Sequence, residues 1–236
     1  MDDPVSQRRH HDTVDPHGRG QWVADVVLGG QDGIVNVLGV LLGVAVATGS
    51  ARVVFVAGLA AALAESVSMA AVAYTSSVAA GDLYKGERSR EYRHIATIPA
   101  LEREEIRAIY TSKGLSGPLL DRVVETITND KDVWVAVMMA EEHGLAGVDR
   151  KKSLRSTVVV GLASLVGSLL PLLPFAFMPV ASGSWAAVLL SAAILFGVGA
   201  YKAKVTIGNP LKSGAELAAI GTASAMIGYG VGFLLR

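Results

Sequence analysis

The sequence contains no cysteine. Disulfides, thiolate metal sites and cysteine nucleophiles are therefore excluded, although the compartment is not fixed by this. It carries no net charge, with 21 Lys and Arg against 21 Asp and Glu. There is thus no global bias towards an acidic partner, and no nucleic acid is expected. Neither strand-like alternation nor an internal repeat runs through it. A cleaved signal is not evident either. Ala45-Val-Ala47 resembles a cleavage site, but the apolar run before it is too long and holds two aspartates, Asp25 and Asp32.

What the chain has instead is apolar length. Of its 236 residues 51% are hydrophobic, and the mean hydropathy is +0.45. Long apolar runs joined by short polar links read as a helical membrane protein rather than one or two soluble domains. Five such runs occur, at 22–48, 53–80, 156–180, 185–201 and 214–235. Most reach the ~20 residues that a bilayer requires; the fourth is the shortest. The expected fold is all-α, an integral membrane protein with five transmembrane helices. A cytoplasmic module of short helices is inserted between the second and the third. The expected division is a disordered tail at 1–20, two membrane helices at 21–80, the module at 81–152 and three membrane helices at 153–236. The tail holds Arg8, Arg9, His10, His11 and His17 and reads as a solvated basic segment in preference to a weak metal site.

Basic residues set the orientation. Arg8, Arg9 and Arg19 precede the first run, Lys151, Lys152 and Arg155 the third, and Lys202, Lys204 and Lys212 lie between the last two. A cytoplasmic N-terminus and an outside C-terminus satisfy all three groups, and they leave the polar module in the cytoplasm. Within the module, 82–96 reads as a charged helix that extends the second run. Pro99 opens the next helix, which stops at Gly114. Ser116 caps a third, which ends near Asn129, and a fourth runs from about Lys131 to His143 and stops at Gly144.

Polar residues inside the apolar runs are the first functional signal. Asp25 and Asp32 are two helical turns apart and share a face; Asn36 follows one turn later. Glu65 and Met69 are one turn apart on the second run. An aspartate at the bilayer centre costs roughly 2.5–3.5 kcal/mol on insertion scales, so such residues line a pathway or pair with one another. The plainer readings are interfacial solvation for Asp25 and core packing for Met69. Gly29-xxx-Gly33 and Gly39-xxx-Gly43 flank Asp32 at a spacing that allows close helix approach. Two copies of the first helix are one way to use it, with both Asp32 side chains beside a single path.

The second signal lies in the module. Glu91-x-x-His94, Glu102-x-x-Glu105 and Met138-Met139-x-x-Glu142 each place their ligand types on one helix face. Carboxylate, imidazole and thioether together suit a borderline divalent ion such as Fe²⁺ better than Mg²⁺ or Ca²⁺. The competing reading is a set of solvated acidic faces paired with the interleaved Arg90, Arg93, Arg103 and Arg107.

Taken in order, these motifs resemble the vacuolar iron transporter family. The resemblance rests on Asp25-x-x-x-Gly29-x-x-Asp32-Gly33, Ser68-Met69-Ala70, Glu102-x-x-Glu105, Met138-Met139-x-x-Glu142 and Gly144-Leu145. It covers nearly the whole chain after the tail. It implies a five-helix dimer that moves Fe²⁺, and often Mn²⁺ or other divalent ions, out of the cytoplasm in exchange for protons, along a path between the subunits. It implies pore ligands at Asp32 and Met69, and module ligands at Glu91, Glu102, Glu105, Met138, Met139 and Glu142. The expected partners are a lipid bilayer, a second copy of the chain, protons and the transported ion, with no tightly bound cofactor. The expected host is a prokaryotic cell membrane. Two departures stand out. His94 occupies a position that is often acidic in the family, which makes the site less negative and more sensitive to pH. Val72-Ala73-Tyr74 replaces a common Gly-Glu-Tyr, while a carboxylate occurs one turn before Met69, at Glu65.

Two other function classes compete. Glu-x-x-His is also the motif of ferritin-like di-iron proteins, so the module could oxidise Fe²⁺. Such sites need a second Glu-x-x-His and long bundle helices, and this chain has one copy on short helices. A membrane scaffold with an interaction module is the third reading, and it leaves Asp32 unexplained.

Overall fold

The computed structural model of the protein describes residues 19–236, with side chains from Trp22 onwards. The tail at 1–20, with its histidines, lies outside the described residues up to position 18. The described residues form nine α-helices: α1 Arg19–Thr48, α2 Ala51–Thr97, α3 Pro99–Ser112, α4 Gly117–Thr128, α5 Lys131–Glu141, α6 Arg150–Leu169, α7 Leu173–Phe177, α8 Val180–Val205 and α9 Pro210–Leu234. No strand occurs among the described residues. The chain divides into two compact units, one from residues up to Tyr74 together with Leu154–Arg236, the other Thr75–Ser153. The helix α2 contributes residues to both.

Among the described residues four helices are long and apolar enough to cross a membrane: α1, counted from Trp22, then α2, α8 and α9. The third apolar run forms no single spanning helix. Pro171 and Pro174 lack an N–H and break the helical ladder. The α6 helix ends at Leu169, a turn follows, and the short α7 begins at Leu173. The Leu172 and Leu173 N–H groups reach the Leu169 and Leu170 carbonyls in tight three-residue turns of 3.2 and 3.3 Å. The apolar stretch of α6 begins only after Arg155. It spans about 20 Å, short of the ~30 Å hydrocarbon core. The fourth run is longer than its hydropathy suggests. Ser182 and Ser184 return their hydroxyls to the Pro179 and Val180 carbonyls at 3.1 and 2.8 Å, which lets α8 begin at Val180. At the start of α9, the Asn209 side chain accepts from the Leu211 and Lys212 N–H groups, and Pro210 occupies the first turn.

Packing in this unit runs through small residues. The α9 helix packs on α8 and α1. A Cβ at Gly228 would overlap the Gly39 carbonyl oxygen, and one at Gly232 the Gly43 carbonyl oxygen. Gly29 and Gly33 press on the α6 backbone in the same way, at Val160 and Ser164. Ser224 donates to the Val35 carbonyl at 2.9 Å and Ser66 to the Gly161 carbonyl at 2.8 Å. The glycine spacing around Asp32 therefore does mark close helix approach, but the partners are α6 and α9 of the same chain. It is not free to form a seam between two copies. An apolar core of Val37, Leu38, Leu41, Leu42, Val54, Leu172 and Phe175 fills the unit between these contacts.

The second unit consists of the last turns of α2 with α3, α4 and α5. Its helices start and stop largely where turn chemistry places them. Pro99 opens α3, and Gly114 ends it with a φ of 92°. Asp130 caps α5, accepting from the Asp132 and Val133 N–H groups at 2.8 and 3.3 Å. Ser116 precedes α4 in extended conformation, but its side chain makes no capping hydrogen bond. Ile95, Ile106, Leu120, Val124, Ile127, Trp134, Val135, Met138 and Met139 form the core.

Candidate functional site

The first constellation lies in the membrane-spanning unit. The Glu65 carboxyl of α2 lies beside the Asp32 and Asn36 side chains of α1. Asp32 and Glu65 are half-buried and Asn36 is exposed. Two helices thus bring together three of the polar residues that sequence spacing singled out. Met69 is half-buried one turn along α2 from Glu65, and Asp25 is buried two turns before Asp32. Two carboxylates side by side repel each other, and a cation held between them relieves that repulsion.

The second constellation lies in the module, and it is centred on Glu91. This residue and Glu102 are each only 2% exposed. His143 Nε2 lies 3.0 Å from Glu91 Oε1, and His94 Nδ1 lies 4.0 Å from the same oxygen. His94 Nδ1 also stands 3.2 Å from Glu102 Oε1. Two triads have ligand atoms close enough to hold one ion each, Glu91–His94–Glu102 and Glu91–Glu142–His143. The second oxygens of both buried glutamates, Glu91 Oε2 and Glu102 Oε2, have no hydrogen-bond partner. A buried carboxylate oxygen left unpaired is costly, and a cation relieves that cost.

The arginines decide between an ion site and a set of solvated ion pairs. Arg90 pairs with Glu87 at 2.9 Å, and Arg107 with Asp121 at 2.7 Å. Arg103 donates to the Thr128 hydroxyl at 2.7 Å, and Arg93 to the Ser89 carbonyl at 3.3 Å. Among the described residues no arginine pairs with Glu91, Glu102, Glu105 or Glu142. The charged partners that the cluster does have are two imidazoles, His94 and His143, which can themselves serve as ion ligands.

That crowding appears in the proton affinities. Burial, then the neighbouring Glu105 and Glu91 carboxylates, push the Glu102 carboxyl up to about 7. Burial and the nearby Glu105 raise Glu142 above the ordinary carboxylate range. The hydrogen bond to Glu91 raises His143. Glu105 is half-buried and lies beside Glu102. Met138 and Met139 are 0% and 1% exposed and belong to the apolar core, so packing accounts for them whether or not a sulfur also meets an ion.

His143 is the residue that helical spacing misses. The α5 helix ends before it, and Gly144 follows in the left-handed conformation with a φ of 61°. The His143 N–H reaches the Met138 carbonyl at 3.2 Å and the Leu145 N–H the Met139 carbonyl at 2.8 Å. These bonds fold the chain back and turn the imidazole to Glu91. The available signal was the adjacent pair Glu142-His143 immediately before a terminating glycine.

The sequence matches the VIT family over residues 23–233, which includes both constellations. The chain belongs to the VIT family. It is similar to vacuolar iron transporter 1 of Oryza sativa subsp. japonica, with 30% identity over 98% of this chain and 92% of that protein. Vacuolar iron transporter 1 of Arabidopsis thaliana is 30% identical over 89% of this chain and 85% of its own. The vacuolar iron transporter of Toxoplasma gondii (strain ATCC 50861 / VEG) is 33% identical over 91% and 74%. This VIT family member is a membrane protein whose described residues form helices without strands, four of them of spanning length.

Proposed function

We propose that this VIT family member is a transporter, not an enzyme, that exports Fe²⁺ from the cytoplasm in exchange for protons, with Mn²⁺ as a second cargo. The observation that carries this reading is the contact of Glu65 with Asp32 and Asn36 inside the membrane-spanning unit. A carboxyl pair of this kind holds either protons or a divalent cation, and competition between the two is the simplest chemical basis for antiport. Asp32 and Met69 serve as pore ligands, with Glu65 supplying a second carboxylate and Asn36 a neutral oxygen. Asp25 lies on the path nearer the N-terminus.

The module collects ions before transport. Glu91, His94, Glu102, Glu105 and Glu142 are its ligands, with Met138 and Met139 as thioether donors at the edge of the core. A fifth crossing is made by α6 with the following turn and α7, so that the N-terminus is cytoplasmic and the C-terminus outside. The transporter is a homodimer. Because the glycines of α1 pack within the chain, we place the subunit seam on the face that exposes Asn36 and Val40. The proposed host is a cell membrane; the relatives' names point to vacuoles, and membrane fractionation decides between the two. Flux of Fe²⁺, Mn²⁺, Co²⁺ and Zn²⁺ in proteoliposomes tests the reading, and a protein that moves none of them overturns it.

A further inference from the structure

Two imidazoles converge on one carboxylate of the module. His143 Nε2 and His94 Nδ1 stand 3.0 and 4.0 Å from the same Glu91 Oε1, while Glu91 Oε2 is buried without a partner. A structural histidine–carboxylate pair would leave neither feature. It would satisfy the buried carboxylate, and it would not need a second imidazole facing the same oxygen. We propose that His143 is itself an ion ligand, with Glu91 and Glu142, and that Glu91 bridges this ion to a second one on His94 and Glu102.

Each ion then has one imidazole and two carboxylates from the protein. This donor set separates ions that the carboxylates alone treat similarly. Nitrogen donors favour Fe²⁺, Co²⁺ and Zn²⁺, whereas all-oxygen sites suit Mn²⁺ and Mg²⁺. His143 is therefore a specificity-determining residue that biases the module away from Mn²⁺. The geometry fits a ligand in another respect. The backbone turn at Gly144 fixes the imidazole from its own chain, and its side chain remains 25% exposed, so an ion has a route in.

This inference rests on the proposed ion-collecting role of the module, and the experiment separates the two. The chain has 5 histidines. Replacing His10, His11 and His17 by alanine in the full chain leaves His94 and His143 as its only imidazoles. In detergent, Co²⁺-loaded protein is read by proton NMR for paramagnetically shifted, exchangeable imidazole N–H resonances. Calorimetry gives Co²⁺ and Mn²⁺ affinities. Two shifted N–H resonances are expected, one lost in His94→Gln and the other in His143→Gln. The Co²⁺ over Mn²⁺ preference should fall about tenfold in His143→Gln, the scale of losing one nitrogen ligand. Glutamine keeps an N–H donor for Glu91, so a purely structural role predicts no such fall. Helicity of each variant is checked by circular dichroism. A single resonance, that of His94, with an unchanged preference in His143→Gln overturns the inference and leaves the module reading intact. If the protein binds neither ion, both fall together.

Discussion

On the proposed ion-collecting role of the module, Glu102 should link ion capture to pH. Its carboxyl is pushed up to about 7 because burial and the neighbouring Glu105 and Glu91 disfavour its charge. An ion can bind it only after that proton leaves. At pH 6 about ten protonated forms exist for each ionised one, so apparent affinity is about elevenfold below its limit; at pH 8 the loss is about tenfold smaller, close to 1.4 kcal/mol of difference. Glu142 and His143 also hold protons more tightly than usual, so their deprotonation adds to the effect in the same direction. Calorimetry of Co²⁺ binding to the full chain in detergent, in buffers of different ionisation enthalpy, counts the protons released. About one proton from Glu102 is expected at pH 6 and almost none at pH 8. Glu102→Gln should remove that proton and flatten the pH slope. The sign for stability is opposite to that for binding. A carboxyl whose folded-state value is raised contributes stability below its ordinary value of 4.5, and that contribution is lost as pH rises through about 7. The metal-free protein should therefore weaken over this window, and added Co²⁺ should reverse the weakening. Equal Co²⁺ affinity at pH 6 and pH 8, with no proton release, would refute the reasoning.

Other outcomes follow from packing and exposure. Gly228→Ala should lower the unfolding temperature in detergent, at a cost of about 1–3 kcal/mol, because its Cβ meets the Gly39 carbonyl; Gly230→Ala, with nothing within 4 Å, should not. Equal stability of the two variants would contradict the α1–α9 packing. Met138→Leu with Met139→Leu conserves core volume, so the fold should survive with less than about 1.5 kcal/mol lost per site, while Fe²⁺ affinity falls through loss of the thioethers. Unchanged affinity would make both methionines packing residues only. Asn36→Cys or Val40→Cys should crosslink two subunits in the membrane, which is clean to read because the chain has no native cysteine. Absence of any crosslink at both positions would move the seam elsewhere.

How much was legible in the sequence depended on whether the deciding contact was local. The runs at 22–48 and 53–80 declared themselves by apolar length, and Pro99, Gly114 and Gly144 set module boundaries through backbone chemistry alone. The third run failed as one helix because hydropathy is blind to what Pro171 and Pro174 do to the hydrogen-bond ladder. The Asp32 glycines showed that a helix comes close; spacing does not say whether that helix is α6, α9 or a second copy. The arginines were ambiguous for the same reason. Arg103 finds Thr128 and Arg107 finds Asp121 across the module fold, and those tertiary contacts leave Glu91 and Glu102 to the two imidazoles instead of to arginine. His143 escaped notice because its partner Glu91 lies on another helix, and spacing within one helix does not show that the two meet. The meeting of Glu65 with Asp32 needed two helices in register, which spacing within one helix cannot supply.

Proton-coupled flux through Asp32 is the central claim, and one assay addresses it directly. Proteoliposomes loaded with a pH-sensitive dye are given Fe²⁺ under anaerobic conditions, and metal entry and proton counterflow are followed together for the wild-type chain and Asp32→Asn. Asparagine keeps the size and an oxygen acceptor of the side chain but cannot ionise, and removing an intramembrane charge should leave the fold as stable or more so. The account predicts Fe²⁺ uptake that moves protons the other way in the wild type, and neither movement in Asp32→Asn. Normal uptake with normal proton counterflow in Asp32→Asn would show that Asp32 is structural and would contradict the account.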